Sequence, residues 1–181
     1  MTKTASTVLG AGSVGLGVAA SLALAGQRVT LLTRAASVAA LRASSLTVDG
    51  LHGAHSLPPG AIAVEDAADP SAAARDCDML VVTTKTHDIA AALAPFVADG
   101  PGPRAVLSMH NGLGASEAIR AALGPLIPVY ASAMMIGLAL IGFERWPSEL
   151  PRAFVISGFL GGLTTVSAFS GESLNLMQRG Q

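Results

Sequence analysis

Cysteine is all but missing: Cys77 is the only one in 181 residues. A disulfide framework and a cysteine-based metal site are therefore excluded, and a reducing, cytoplasmic setting fits that usage. Charge is scarce as well. Charged residues make up 13% of the chain and hydrophobic ones 51%, against about 25% and 45–50% in an average soluble domain. Such a chain can bury a large core but has few charges to spread over its surface. The formal net charge of −1 gives no basic footprint, so nucleic acid is set aside as a partner. Lysine occurs only as Lys3 and Lys85, which limits any chemistry that needs an ammonium group. The start, Met1-Thr2-Lys3-Thr4, runs straight into a strand-like segment, with neither the charged nor the apolar region of a signal peptide. The length allows one good-sized domain, or one domain with a short appendage.

The few charges are unevenly spread. None occurs from Leu126 to Phe143, nor from Ala153 to Gly171, and each run is close to the roughly 18 residues of a membrane-helix candidate. Both are weakened for that role, the first by Pro128, Tyr130 and Ser132, the second by several glycines, threonines and serines. The composition shift puts an expected boundary at residue 137, dividing 1–137 from 138–181. Membrane contact through 126–171 stays open as an alternative to a soluble chain. Oligomeric state is not legible.

Short apolar runs alternate with alanine-rich stretches over the first two-thirds. Ala5–Leu9 reads as a strand, Ser13–Ala25 as a helix closed by Gly26, Arg28–Thr33 as a strand and Ala36–Ala43 as a helix. Ser45–Val48 and Ala61–Val64 read as short strands around a Gly/Pro-rich loop. Met79–Thr83 and Ala105–Met109 read as strands, His87–Val97 and Ala115–Leu123 as helices. Near-continuous apolar strands alternating with helices imply an α/β fold, a Rossmann-type doubly wound parallel sheet covered on both faces.

Gly10-Ala11-Gly12-Ser13-Val14-Gly15 is a G-x-G-x-x-G turn directly after a strand and opening a helix. In that context Gly10 permits the tight turn and Gly12 lets backbone approach a pyrophosphate. Gly15 lets the helix pack on the strand, while the first-turn N–H groups of Ser13 and Val14 face the phosphates. An ordinary strand-to-helix turn is the plain alternative. The end of the second strand reads Leu31-Leu32-Thr33-Arg34, without the acid that would bind a ribose 2′-hydroxyl. A guanidinium can instead bind a 2′-phosphate bidentately, with the Thr33 hydroxyl beside it, so the expected cofactor is NADP(H). Arg34 as a merely solvated strand-end residue is the other reading.

These residues, with Asp78-Met79-Leu80-Val81-Val82-Thr83-Thr84-Lys85, then Asp88, and Met109-His110-Asn111-Gly112-Leu113-Gly114, resemble the N-terminal domain of the ketopantoate reductase family (2-dehydropantoate 2-reductases). The resemblance covers residues 5–137. It implies NADPH-dependent reduction of a small 2-oxo acid in pantothenate biosynthesis, with Lys85 and Asn111 beside the nicotinamide and substrate. Both follow strands at their carboxyl ends, where open α/β sheets bind ligands. A solvated lysine at a helix start and a conformational Asn-Gly turn remain the bland alternatives. The family's catalytic lysine, asparagines and carboxylate come from a second, helical domain. With only Lys3 and Lys85 here, the expectation is a cofactor half without its catalytic half.

Gly158-Phe159-Leu160-Gly161-Gly162-Leu163-Thr164-Thr165-Val166-Ser167-Ala168-Phe169-Ser170-Gly171-Glu172 resembles something else, the third-helix signature of the CrcB/Fluc fluoride channels. That resemblance implies backbone oxygens of Gly161 and Thr164 for a sodium ion. Phe169 matches one of two pore phenylalanines, while Val166 replaces the other. The other membrane helices of that family have no counterpart, and broken backbone at membrane depth must be enclosed by protein, so conduction is not expected. The expectation is a chimaera whose C-terminal segment is a short apolar helical appendage, associated with the inner membrane if the channel reading holds. A soluble apolar hairpin packed on the sheet is the alternative. His52, His55, His87 and His110 lack a metal spacing with acids and read as surface or turn residues. Cys77 reads as a small apolar residue.

Overall fold

In the computed structural model, residues 4–49, 54–97, 102–110 and 114–131 are described. The strand β1 (Ala5–Leu9) is buried without alternation from Ser6 onward, as expected of a strand covered on both faces. Its neighbour β2 (Arg28–Thr33) is linked to it by α1 (Ser13–Leu24). This alanine- and leucine-rich helix ends where Gly26 takes φ +79° and its N–H donates to the Ala23 carbonyl at 2.9 Å, a left-handed stop that glycine adopts without steric cost. After α2 (Ala35–Ala43) come β3 (Leu46–Val48), β4 (His55–Leu57), β5 (Ala63–Asp66) and the short α3 (Ala72–Arg75). The remaining elements are β6 (Met79–Val82), a 3-10 turn (Thr86–Asp88), α4 (Ile89–Val97), β7 (Val106–Ser108), α5 (Ala115–Leu123) and β8 (Val129–Ala131).

Six strands form one sheet in the order β5-β2-β1-β6-β7-β8, and every pairing in it is parallel. Numbered within that sheet alone, the order is 3-2-1-4-5-6. This is the doubly wound Rossmann arrangement, with its switch point between β1 and β6. The core is built from both sides of the switch: α4 contributes Ile89, Leu93 and Phe96 at helical spacing, and β1, β6 and β7 contribute Leu9, Leu80 and Val106. Each such aliphatic side chain, fully withdrawn from water, stabilises the fold by about 1.5–3 kcal/mol. A buried polar bond joins the layers, from the Thr7 hydroxyl on β1 to the Ala74 carbonyl of α3 at 2.8 Å.

The differences from the sequence reading have local causes. The β5 strand lies two residues beyond the apolar run Ala61–Val64, because Gly60 at φ +83° and the bond from Ala61 N–H to the Pro58 carbonyl (3.1 Å) hold 58–61 as a turn. The polar β4 pairs only with β3 as an antiparallel ribbon outside the main sheet, so it carries no apolar face to announce it. At Pro70-Ser71 the chain starts α3, capped by the Ser71 hydroxyl on the Ala74 N–H at 3.2 Å. The sheet also gains an edge strand, β8, inside the uncharged run. The chain divides into two compact units, 1–48 with 54–132 and 49–53 with 133–181, and all the elements named above lie in the first. The expected C-terminal helical appendage, with Gly161 and Thr164, lies outside the described residues. Among the described residues no helix is long and apolar enough to cross a membrane, and no cluster of three metal-ligating side chains occurs.

Candidate functional site

The register of the central strands brings three chain turns to one level. Leu9 pairs with Val82 and Val82 with Ser108, so the segments after β1, β6 and β7 leave the sheet side by side at its carboxyl edge. At the first of these, Gly10 turns at φ +113° while its N–H still donates to the Leu32 carbonyl at 3.0 Å. The Thr83 hydroxyl reaches across from β6, 3.0 Å from both the Leu9 and Gly10 carbonyl oxygens. A Cβ on Gly10 would stand 2.8 Å from that hydroxyl. A Cβ on Gly15 would overlap the Gly10 carbonyl oxygen outright, so this glycine is required by the close approach of α1 to the turn. Gly12 differs from both. It has φ −76°, open to any residue, and a Cβ there would meet nothing within 4 Å. Among the described residues no contact demands a glycine at Gly12, whereas backbone closely approached by a ligand would. The helix behind it has no side-chain cap, and Ser13 and Val14 are exposed. First-turn N–H groups and the positive end of the helix dipole therefore front this space.

At the end of β2, Thr33 is 7% exposed, so its side chain is largely withdrawn from solvent, and its carbonyl accepts from Ala67 N–H at 2.7 Å. Arg34 follows as the exposed N-cap residue of α2. The sequence places no acid directly after β2, but the sheet supplies one from another strand: Asp66 of β5 is the register partner of Thr33. Its carboxylate accepts from Ala68 N–H at 3.0 Å. Parallel pairing of β2 with a strand more than thirty residues later was the missing information, and the acid pair at the end of the Ala-Val-Glu-Asp run was the only signal for it.

After β6, Lys85 is exposed and caps the 3-10 turn, with its carbonyl accepting from Asp88 N–H at 2.9 Å. His110 lies against this segment. One ring nitrogen, Nε2, is 2.6 Å from the Thr84 carbonyl oxygen, and the other, Nδ1, is 2.9 Å from the Ser108 hydroxyl. His110 read as a turn residue in the sequence; its ring is in fact half-buried and bonded on both sides. The Thr84 hydroxyl oxygen is buried with no hydrogen-bond partner among the described residues. Asn111 lies outside the described residues. His87 and Asp88 form an exposed contact at 3.6 Å beside Lys85, and His55 is exposed on β4. Just before β6, burial raises the Cys77 thiol above its ordinary value, opposed by hydrogen bonding to Thr7.

A family model described as ketopantoate reductase PanE/ApbA matches residues 6–170. The chain belongs to this family. The match runs past residue 137, into the segment set apart by composition. The ketopantoate reductase fold is also found among solved structures. A PanE/ApbA family ketopantoate reductase from Ralstonia eutropha superposes with TM-score 0.59 at 24% identity, covering 70% of this chain and 40% of that one. A 2-dehydropantoate 2-reductase from Geobacter metallireducens gives TM-score 0.55 at 25% identity over 66% and 38%. A D-mandelate dehydrogenase solved with NADH shares the fold at 17% identity and TM-score 0.57. The chain spans about two-fifths of these proteins. Curated relatives of another kind match about a third of the chain. The fluoride-specific ion channel FluC of Psychrobacter arcticus is 48% identical over 62 residues, 33% of this chain and 50% of the channel. That of Polynucleobacter asymbioticus is 44% identical over 61 residues, 33% and 49%. The chain thus spans about half the length of the curated relatives it matches. Two likenesses on one chain fit the expected chimaera, and the channel match is longer than 138–181 itself.

Proposed function

We propose that residues 1–137 are the NADP(H)-binding domain of a 2-dehydropantoate 2-reductase-like oxidoreductase, followed by a distinct apolar segment, 138–181. The observation that carries this reading is the open space at Gly12, set between two glycines that the fold itself requires and in front of an uncapped helix. A pyrophosphate fits there, held by backbone N–H groups of Ser13 and Val14. Arg34 would take the 2′-phosphate, with Thr33 behind it. Bound NADPH supplies the hydride that reduces a 2-oxo acid to its 2-hydroxy acid. For this chain's own part, the Lys85 ammonium can neutralise a phosphate or polarise a carbonyl, and Asn111 offers both a donor and an acceptor to orient one. A cytoplasmic setting goes with this reading.

A second reading, a module that binds NADP(H) without turnover, is favoured by the lysine inventory: beyond the N-terminal tail only Lys85 can act as an ammonium. The curated likenesses support a third, a fluoride-channel fragment in which Gly161 and Thr164 would meet a sodium ion. Fractionating the expressed chain separates the third from the others. Titration of the wild type and Arg34→Ala with NADPH and NADH tests the cofactor. Loss of a charge-assisted contact should cost about 1.5–3 kcal/mol, roughly 10- to 150-fold in NADPH affinity, with NADH little changed. Equal wild-type affinities would refute the NADP(H) assignment.

A further inference from the structure

We propose that His110 is a positioning residue that fixes the backbone carrying Lys85. The inference rests on the role given to Lys85 above and extends it to a residue with no part in that reading.

A carbonyl oxygen only accepts, so the 2.6 Å contact to Thr84 makes Nε2 the protonated ring nitrogen. In the neutral ring Nδ1 then accepts, and the Ser108 hydroxyl at 2.9 Å donates to it. Ser108 ends β7 and is 1% exposed, so the ring is anchored in the sheet on one side and holds the chain after β6 on the other. The ladder between these strands runs as far as the bond from Met109 N–H to the Val82 carbonyl at 3.0 Å. Beyond that rung the two segments leave the sheet, and the imidazole is a side-chain bridge between them. The carbonyl it grips belongs to the peptide group that joins Thr84 to Lys85. On the other side of Lys85, its own carbonyl accepts from Asp88 N–H at 2.9 Å. The lysine backbone is thereby held at both ends while its exposed side chain keeps its freedom. An Nε2–H bond to a carbonyl on a neighbouring loop does little for the core. Its consequence is where Lys85 starts from, and a displacement of that origin moves the ammonium away from whatever it meets.

The test uses the full 181-residue chain in two arms. The first needs no nucleotide: amide hydrogen exchange at Asp88 and the ring ¹⁵N shifts of His110. The expected results are an Nε2-protonated tautomer, faster Asp88 exchange in His110→Ala, and recovery in His110→Gln, whose amide has an NH2 to donate and an oxygen to accept. Ser108→Ala, which keeps the ring but removes its anchor, should give an intermediate rate. The second arm is NADPH titration. His110→Ala should weaken binding roughly 2- to 12-fold, the loss expected for one hydrogen bond, and should add nothing in a Lys85→Ala background. Unchanged Asp88 exchange, or additive losses in the double variant, would overturn the proposal. If His110→Ala fails to fold, the Gln and Ser108 variants decide on the same criteria. A wild type that shows the exchange pattern but binds no NADPH would leave the brace standing and bring down the function assigned to Lys85 instead.

Discussion

Replacing Gly15 with alanine should destabilise the fold, whereas replacing Gly12 should leave its stability nearly unchanged. Within a helix such as α1, alanine ordinarily gains about 1 kcal/mol over glycine. At Gly15 that gain is opposed by geometry. The new Cβ would overlap the Gly10 carbonyl oxygen and stand 2.7 Å from the Thr83 hydroxyl and 3.0 Å from the Gly10 carbonyl carbon. Two of these atoms are backbone and cannot swing aside. Either α1 lifts from the turn or Thr83 releases its bonds to the Leu9 and Gly10 carbonyls. Overpacking costs about 1–3 kcal/mol and a lost hydrogen bond about 0.5–1.5 kcal/mol, so after the helix gain the net loss is about 1–3 kcal/mol. For a domain of this size that lowers Tm by roughly 2–12 °C. Gly12→Ala meets no atom within 4 Å and should change stability by no more than about 1 kcal/mol, the difference between glycine and alanine as a helix cap. Gly12→Val, equally folded, should lose NADPH binding, because its side chain would fill the space proposed for the pyrophosphate. Urea denaturation followed by circular dichroism reads the first effect, and nucleotide titration the second. A Gly15→Ala protein as stable as the wild type, or a folded Gly12→Val that binds NADPH normally, would refute the assignment of the two glycines.

Ketopantoate reduction by the 181-residue chain should run at least about a thousandfold below a complete reductase, since general acid help and substrate positioning contribute factors of this order and larger; steady-state NADPH oxidation measures it, and a robust rate that survives Lys85→Ala would overturn the expectation. Burial raises the Cys77 thiol, so its neutral form stabilises the fold. That contribution is complete below the unfolded thiol's pKa and is lost as pH rises through the higher folded value. Stability of the wild type should therefore fall more steeply than that of Cys77→Ala on the alkaline side of pH 9, and a thiol reagent should label Cys77 slowly until urea unfolds the chain.

The parts of the fold most legible in sequence were those where a local signal and the global role coincide. Ala5–Leu9, Arg28–Thr33 and Ala115–Leu123 fall where their apolar patterns place them, and Gly10 and Gly15 have the constraints their spacing implies. The elements that no periodic pattern announces are short. The β4 segment His55-Ser56-Leu57 pairs with β3 outside the main sheet, α3 buries a single residue, Ala74, and β5 lies two residues beyond its apolar run because the strand continues into Glu65 and Asp66. His110 escaped for another reason. Its importance is a bond to a carbonyl 26 residues away, and the sequence around it shows only a turn. Asn111, Gly161 and Thr164 lie outside the described residues, so their roles stay expectations of resemblance.

Cofactor choice is where linear reasoning and the sheet pull in different directions. Along the sequence, Arg34 stands alone where an acid would select NAD. In the sheet, Asp66 is in register with Thr33, and adjacent strands lie about 4.8 Å apart. A 2′-phosphate gripped by Arg34 would therefore have the Asp66 carboxylate within roughly 7 Å. At that separation, unit charges repel by about 0.6–2.4 kcal/mol for effective dielectric constants between 80 and 20. On the proposed NADP(H) reading the guanidinium would prevail because it could touch the phosphate, while one carboxylate oxygen is already engaged by Ala68 N–H at 3.0 Å. A preference for NADPH would then be the difference between two opposed charges. Asp66→Asn preserves the oxygen that accepts from Ala68 and removes only the charge. It should raise the NADPH-to-NADH affinity ratio roughly 3- to 60-fold at low ionic strength, with the gain shrinking as salt is added. Titration of both cofactors against wild type and variant measures it. A ratio unmoved by Asp66→Asn would mean that the 2′-phosphate never comes near β5, and Arg34 would lose its assignment with it.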